Sequence, residues 1–573
     1  MKYPKLNVLA TSREMIDVFG GYNHNLRIGE NEFFEMKNMT SDHYPVLSPR
    51  SGRGVYANTQ NATGLISKDS LCYVEGSKFV MNEYEVEMEL NDEPKQLISM
   101  GAYVIILPDK KYINTKDITD YGNIEVENST EGLPVEISLV KLDGTEYGDI
   151  PASDVEPENP ENGDLWIDTS TTPNALKQYS STSSLMWVDV PTTYVRIKCP
   201  GIGEGISEYD GVTISGVAQE NLNGSFVVYG AGSDYIIVTG IIDKATTQED
   251  TITVTRKMPD MDFVTECGNR LWGCRYGFSA DGQIVNELYA CKLGDFKNWE
   301  CYMGISTDSW RGSVGTDGMF TGAITHMGYP VFFKENCLHK VYVSSVGAHQ
   351  VQDTACRGVQ QGCSKSMAIV NEILYYKSRS GVMAYDGSLP VECSYALGGV
   401  RYKDAVAGAV GNKYYISMVS EDESKHVFVY DTSKSVWHRE DDIRIVDFCA
   451  SQGELYGIAE DRKVIHKMRD GDEVVEWSVL TGEIGLGSPD MKFMSRLTVR
   501  MALPVGTELD IYVQYGFEDT WTKVFHTKST SLRSFSVPIR PKRCDFMRIR
   551  FDGKGDAKIY AYTKTMRNGS EIS

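Results

Sequence analysis

The sequence predicts an all-β protein: a β-propeller with an inserted antiparallel β domain and a C-terminal β-sandwich. Three observations predict it. First, one small unit recurs over 262–470, as DFVTECGNRLWGCRY, AITHMGYPVFFKENCLHKVY, AIVNEILYYKSRSGVMAYDG, AVAGAVGNKYYISMVS and VDFCASQGELYGIAEDRKVIHKM. Each copy is a short apolar run, a turn at Gly or Asn and an aromatic-rich strand. Such repeats, about 40–60 residues apart, are the signature of radially arranged sheets. Second, the chain holds 33 Tyr and 53 Gly without long Ala/Leu/Glu/Lys runs, a balance that favours strands and turns. Third, clean apolar–polar alternation fills the stretches on either side of the repeats.

The elements follow in order. Residues 1–63 read as an arm and a strap. Residues 1–20 look loosely ordered, and the strap is FGGYNHNLRIGENEFFEMKNMTSDHYPVLSPRSGR, 19–53. Within it 30–40 carries Phe33, Phe34, Met36 and Met39 at a spacing that suits a short helix. The following Tyr44-Pro45-Val46-Leu47 should be extended, because Pro disfavours helix at the residue before it. GLISKDSLCYVEGSKFVMN and QLISMGAYVIILPDKKYINT form the first propeller blades, 64–116, so that with the five copies above the count is about seven.

The rhythm breaks over 117–258, read as an inserted β domain. Its turn-rich centre, 150–191, has Trp166 and Trp187 as its large anchors and should make a small hairpin insert. YDGVTISG, GSFVVYG, DYIIVTG and TITVTR then alternate as a compact antiparallel domain. Insertions of this kind sit on exposed faces where partners bind. The remaining blades span 259–470. From 471 to 573 six or seven strands at regular spacing read as a sandwich. Its arginines include Arg496, Arg500, Arg540, Arg543, Arg548 and Arg550. Alternation puts Arg548 and Arg550 on one face, opposite Met547, Ile549 and Phe551. They either line a solvated edge or dock an acidic neighbouring subunit. Arg496, Arg500, Arg548, Arg550, Trp166 and Trp187 are therefore the candidate subunit-contact residues.

Lys and Arg total 57 against 79 Asp and Glu, a formal charge of −22. That balance argues against a protein that grips nucleic acid through phosphates and is compatible with a wall past which DNA slides. The longest apolar runs have strand length, so no membrane insertion is expected. The N-terminus shows no apolar signal core. The twelve cysteines contain no CxxC and the nine histidines no HExxH, so neither metal nor cofactor is expected. There is no GxSxG elbow and no Walker loop, and the expectation is a non-enzymatic protein. Asp295, Asp308 and Asp386 are the carboxylates that a glycosidase pair would draw on, and Asp164 and Asp168 could hold Ca²⁺. Each has a simpler use in turns.

The strap resembles the N-terminal segment of structural proteins from tailed bacteriophages and prophages. These carry a GG-(N)-x-R-x-x-x-x-E-x-x-E-M-x-N-x-T-S-D-x-x-P-x-L-x-x-R pattern ahead of a propeller, matched here from Arg27 to Arg50, with five residues between Gly20-Gly21 and Arg27. NRLWGCRY, YACKLGDFKNW, VFFKENCLHKVY, GVMAYDG, VWHREDD and the run from Lys492 are also similar to that group. The likeness spans most of the chain and thins over 117–191. It implies a tail-nozzle, or packaged-DNA stabilisation, protein: a virion component assembled in the host cytoplasm. Subunits, commonly six, would form a ring below the portal and adaptor. The ring would extend the DNA channel, retain the genome and conduct it at ejection. Its partners would be itself, the portal adaptor, other tail proteins and double-stranded DNA passing without specific binding. The rival expectation is a receptor-binding or glycan-degrading tail appendage, with Trp166 and Trp187 as a sugar-stacking platform.

Overall fold

A computed structural model describes residues 11–568 except 83, 183–184, 280, 344–347, 486 and 488, with residues 529–533 and 568 described by backbone alone. The protein is all-β. Among the described residues the only helical segments are three 3-10 turns, and no helix is long and apolar enough to cross a membrane. Seven four-stranded sheets, referred to as blades, recur at 62–87, 96–123, 263–313, 320–355, 368–392, 402–439 and 445–471, the last completed by 52–58. The chain divides into two compact units, 1–95 with 331–339 and 353–573, and 96–330 with 340–352.

In the first unit the blade strands follow the pattern their residues dictate. The strand Lys413–Ser420 (KYYISMVS) is buried along its whole length, between Tyr402–Val410 and Lys425–Asp431. A strand covered on both faces needs apolar residues at every position, so strict alternation is absent there. Two-residue turns link the first and second strands of two blades. At Asn371–Glu372 and at Gln452–Gly453 both central residues have positive φ, the backbone whose twist matches a hairpin.

The blade at 445–471 takes its fourth strand from the N-terminal segment. Gly52–Asn58 pairs antiparallel with Val464–Gly471, with Ile465 opposite Ala57. Ile458 and Ile465 then pack with Ala62, Leu65 and Leu71 of the next blade.

The C-terminal part is one seven-stranded sheet folded on itself into a sandwich. Its long strand Lys492–Tyr515 buries every second residue, Leu497, Val499, Met501 and Leu503 before an exposed corner at 504–506, then Leu509, Ile511 and Val513 after it. The first half pairs with Lys558–Asn568 and the second with Met547–Lys554. Phe551 and Tyr562, one from each half, have ring centroids 6.3 Å apart, so the two apolar faces meet. Both edges of this sheet are N-terminal strands. Thr11–Ile16 pairs with Lys558–Asn568, and Phe33–Lys37 pairs with Glu476–Thr481.

Three expectations for the strap change accordingly. Residues 11–16 of the supposed loose arm form an ordered strand, while 1–10 lie outside the described residues. The segment read as a helix over 30–40 is extended at Phe33–Lys37, because pairing with Glu476–Thr481 outweighs the helical spacing of its apolar residues. The Tyr44–Val46 run is a tight turn, with Tyr44 N–H donating to Ser41 O at 2.9 Å and Val46 N–H to His43 O at 2.9 Å.

In the second unit the strand Asp117–Asn123 completes the blade of 96–123, so the interruption of the blade series begins after it. Between this blade and that of 263–313 lies an eight-stranded antiparallel sheet built from residues 126–256. Its core is almost entirely Ile and Val, with Ile137, Val195, Ile197, Ile214, Val238 and Val254 all buried. These β-branched residues suit a pleated surface and pack tightly across strands. A separate four-stranded sheet occupies 152–189, where the sequence suggested a hairpin. Its first pair is parallel, Ala152–Ser153 beside Leu165–Asp168.

Candidate functional site: the strap and its ionic clamp

The strap residues that carry the sequence pattern lie against the blade of 402–439 and the C-terminal sheet, all within the first unit. Gly21 has φ +82° and its own position blocks any side chain, since a Cβ there would sit 2.6 Å from Trp437 O. The glycine lets Tyr22 N–H donate to Trp437 O at 2.7 Å while Gly21 O accepts from Phe33 N–H at 2.9 Å. Met36 and Leu47 are buried. Asn38 turns the chain with φ +57° and donates its side-chain amide to Glu476 O at 2.7 Å.

The rest of the pattern is electrostatic. Lys413 Nζ reaches Thr40 Oγ1 at 2.8 Å and Asp42 Oδ1 at 2.7 Å, and Ser41 Oγ donates to Asp431 Oδ2 at 2.5 Å. Arg50 spans Asn38 Oδ1 at 2.9 Å, Glu473 Oε2 at 3.1 Å and Asp441 Oδ2 at 3.3 Å. Arg53 pairs with Glu440 Oε2 at 2.6 Å and with Asp441. The side chains of Arg50, Arg53 and Glu440 are all but sealed from solvent, at 4, 6 and 5% exposure.

Burial alone would depress Arg53, but the Glu440 and Asp441 carboxylates outweigh it and hold its pKa above the ordinary guanidinium value. Burial would raise Asp441, and Arg53 with Arg50 holds it low. Every cation in this cluster has carboxylate partners, which is the condition under which buried charge is tolerated. Nearby, burial pushes His438 down to about 3 and His426 down to about 4, so both stay neutral. The arrangement can hold a chain segment in place through pH-dependent ion pairs.

The predicted contact residues separate into groups. Arg548 and Arg550 share a half-exposed face opposite buried Met547, Ile549 and Phe551. Each has partners in its own chain. Arg548 pairs with Glu483 at 3.0 Å, and Arg550 pairs with Asp552 at 3.1 Å and lies over Tyr512, 4.5 Å from the ring centroid. Arg496 and Arg500 are exposed, with Arg500 Nε donating to Ser534 Oγ at 3.0 Å. Trp166 is only 2% exposed, and its indole N–H donates to Ser153 O at 3.2 Å. Trp187 packs edge-on against Trp166 at 5.4 Å and against Tyr179 at 5.3 Å. Of the two readings the sequence offered for Trp166, anchor of the insert and contact or sugar platform, its burial fits the anchor and leaves no face for the platform.

The candidate carboxylates are engaged locally. Asp308 Oδ2 accepts from the N–H groups of Met303, Gly304 and Ile305 at 2.5, 2.7 and 3.1 Å. Asp386 accepts from Ser388 N–H at 3.0 Å, Asp295 from Lys297 N–H at 3.1 Å and Asp164 from Glu161 N–H at 2.8 Å. Asp168 pairs with Lys177 at 2.8 Å and with Ser170, which together hold it at about 2. Among the described residues no group of three or more His, Cys, Asp or Glu has the geometry to hold a metal.

No protein-family model matches the chain, and no curated protein matches it. Among solved structures it is similar to the computationally designed Ika8 protein, with 9% identity and a TM-score of 0.32, covering 72% of this chain and 98% of that one. It is also similar to the extracellular domain of a putative one component system from B. thetaiotaomicron (10% identity, TM-score 0.24, 91% and 98% covered). A third is the phage phi92 endosialidase (10% identity, TM-score 0.22, 74% and 70% covered). At these TM-scores none of the three carries a functional argument.

Proposed function

We propose that this chain is a structural virion protein of a bacteriophage tail, a nozzle subunit that forms a homo-oligomeric ring, extends the DNA channel, retains the packaged genome and conducts it at ejection. The observation that carries this reading is how the strap pattern is used. Gly21, Asn38, Thr40, Ser41, Asp42 and Arg50 all serve a buried clamp that ties N-terminal strands to a blade and to the C-terminal sheet. Such residues keep a scaffold rigid, which is what a channel under load from packed DNA requires. The charge of −22 fits a wall to which DNA does not adhere. Exposed Arg496 and Arg500 are the arginines best placed to meet an acidic neighbouring subunit.

Negative-stain images of the purified chain, alone and with its portal adaptor, test the reading. Rings of uniform symmetry on the tail axis support it, and replacing both Arg496 and Arg500 with Glu should abolish them. A free trimer that binds cells or cleaves polysaccharide would sink it.

A further inference from the structure

The second unit contains a buried cation whose environment differs from the clamp's. Arg270, in the turn before the strand Leu271–Phe278, is 4% exposed. Its Nη1 lies 3.3 Å from His349 Nε2, and its Nη2 donates to Ser306 O at 3.3 Å. Among the described residues no carboxylate lies within ion-pairing distance of it. Two other buried guanidiniums are bonded differently. Arg256 pairs with Asp210, and Arg444 donates to Ser417 O at 2.9 Å, to Ser417 Oγ at 3.2 Å and to Asp404 O. Among the described residues Arg270 makes two hydrogen bonds of 3.3 Å, one of them to an imidazole, and its guanidinium lies 5.9 Å from the centroid of the Trp272 ring. Burial and the adjacent Arg270 hold His349 below its ordinary pKa, so it remains neutral there. Burial depresses the guanidinium, with Cys291 and then Asp308 opposing from longer range. A buried charge without a direct ion-pair partner is costly to keep.

Arg270 lines a cavity of about 420 Å³. Trp272, Tyr329, Pro330 and Val341 supply its walls, and Val343, 61% exposed, belongs to its rim. Ser306, Thr307 and His349 join Arg270 as the polar part of the lining, so the cavity combines apolar walls with a cluster of polar groups, at a size within the range small-molecule sites occupy. A cation so placed is suited to meet an anion. The guanidinium fork matches a carboxylate in two parallel hydrogen bonds, and the apolar walls call for an apolar body on the same molecule.

We infer that this cavity binds a small carboxylate with an aromatic or branched apolar body, the carboxylate facing Arg270 and the body resting on Trp272 and Val341. This site does not depend on the tail reading, which places no ligand in the blades.

The test is calorimetric titration of the full chain with 3-phenylpropionate, with its neutral amide, and with inorganic phosphate. The acid should bind one per chain, the amide at least about tenfold more weakly because a charge-assisted hydrogen bond is lost, and phosphate more weakly because it has no apolar body. Val343→Trp alters only the exposed rim and should abolish binding while leaving the circular dichroism spectrum unchanged. Arg270→Gln should bind acid and amide alike; if that variant does not fold, the acid-to-amide ratio of the native chain and the Val343→Trp result decide. Equal binding of acid and amide, no binding of the acid, phosphate binding as tight as the acid, or undiminished binding in Val343→Trp would each overturn the proposal.

Discussion

Arg53 and Arg270 are both buried arginines in blade-bearing units, and their surroundings are opposite. Arg53 faces Glu440 and Asp441, whereas Arg270 faces an imidazole, one carbonyl and a cavity. The difference teaches that burial of a charge does not define its role. The partners do: a guanidinium closed off by carboxylates holds the chain together, and one facing a cavity is, on our proposal, placed to meet a ligand.

Four measurements can break or sharpen that comparison. The largest effect should come from Arg53→Met, which strands Glu440 and Asp441 without their cation and should cost about 3–5 kcal/mol in urea unfolding. Arg270→Met removes a cation that has no carboxylate to strand, so its cost should be smaller by at least about 2 kcal/mol. Equal losses for the two variants would erase the distinction.

The second measurement is pH. His426 and His438 titrate near 4 and 3 in the folded chain, against about 6.5 when unfolded. The unfolded chain therefore binds more protons below pH 6.5, and stability must fall as pH drops from there toward 3. Asp42, Asp441 and Glu473 are depressed by their cation partners, with burial opposing. Their contribution is present above the ordinary carboxylate range and is lost below it, extending the decline to lower pH. A thermal-melt series from pH 7 to pH 4 should show a loss of at least a few kcal/mol for the first unit; a flat profile would mean the clamp and its histidines contribute little.

Gly21→Ala is the third. A Cβ would meet Trp437 O at 2.6 Å and φ +82° disfavours any side chain, so the variant should lose about 1–3 kcal/mol. The smallest effect belongs to Arg500→Ala. That side chain is exposed and makes one contact to Ser534, so unfolding should shift by no more than about 0.5 kcal/mol. Its consequence should instead appear in ring assembly.

Much of the architecture was legible because its signals are local. Period-two alternation located the strands of the inserted domain and placed Arg548 and Arg550 opposite Met547 and Phe551. Repeated turn residues marked the blades. The same local logic failed at Phe33–Lys37, where helical spacing yielded to a strand partner at Glu476–Thr481. It also failed at Gly52–Asn58, whose partner strand, Val464–Gly471, lies more than 400 residues further along. Sequence left Trp166 as either an anchor or an accessible aromatic, because its polar neighbours in sequence say nothing of the indole packed on it from Trp187.

The sequence by itself determined that this protein is built of strands, because alternation, turn residues and β-branched composition act over a few residues at a time. It also determined that 19–53 is a distinct segment with a dense pattern of polar and glycine positions. Only the tertiary structure decided what those positions do. Whether an arginine meets two carboxylates, as Arg53 does, or a cavity, as Arg270 does, depends on residues brought together from distant parts of the chain. The energy of a buried charge is set by those neighbours and not by its own place in the sequence.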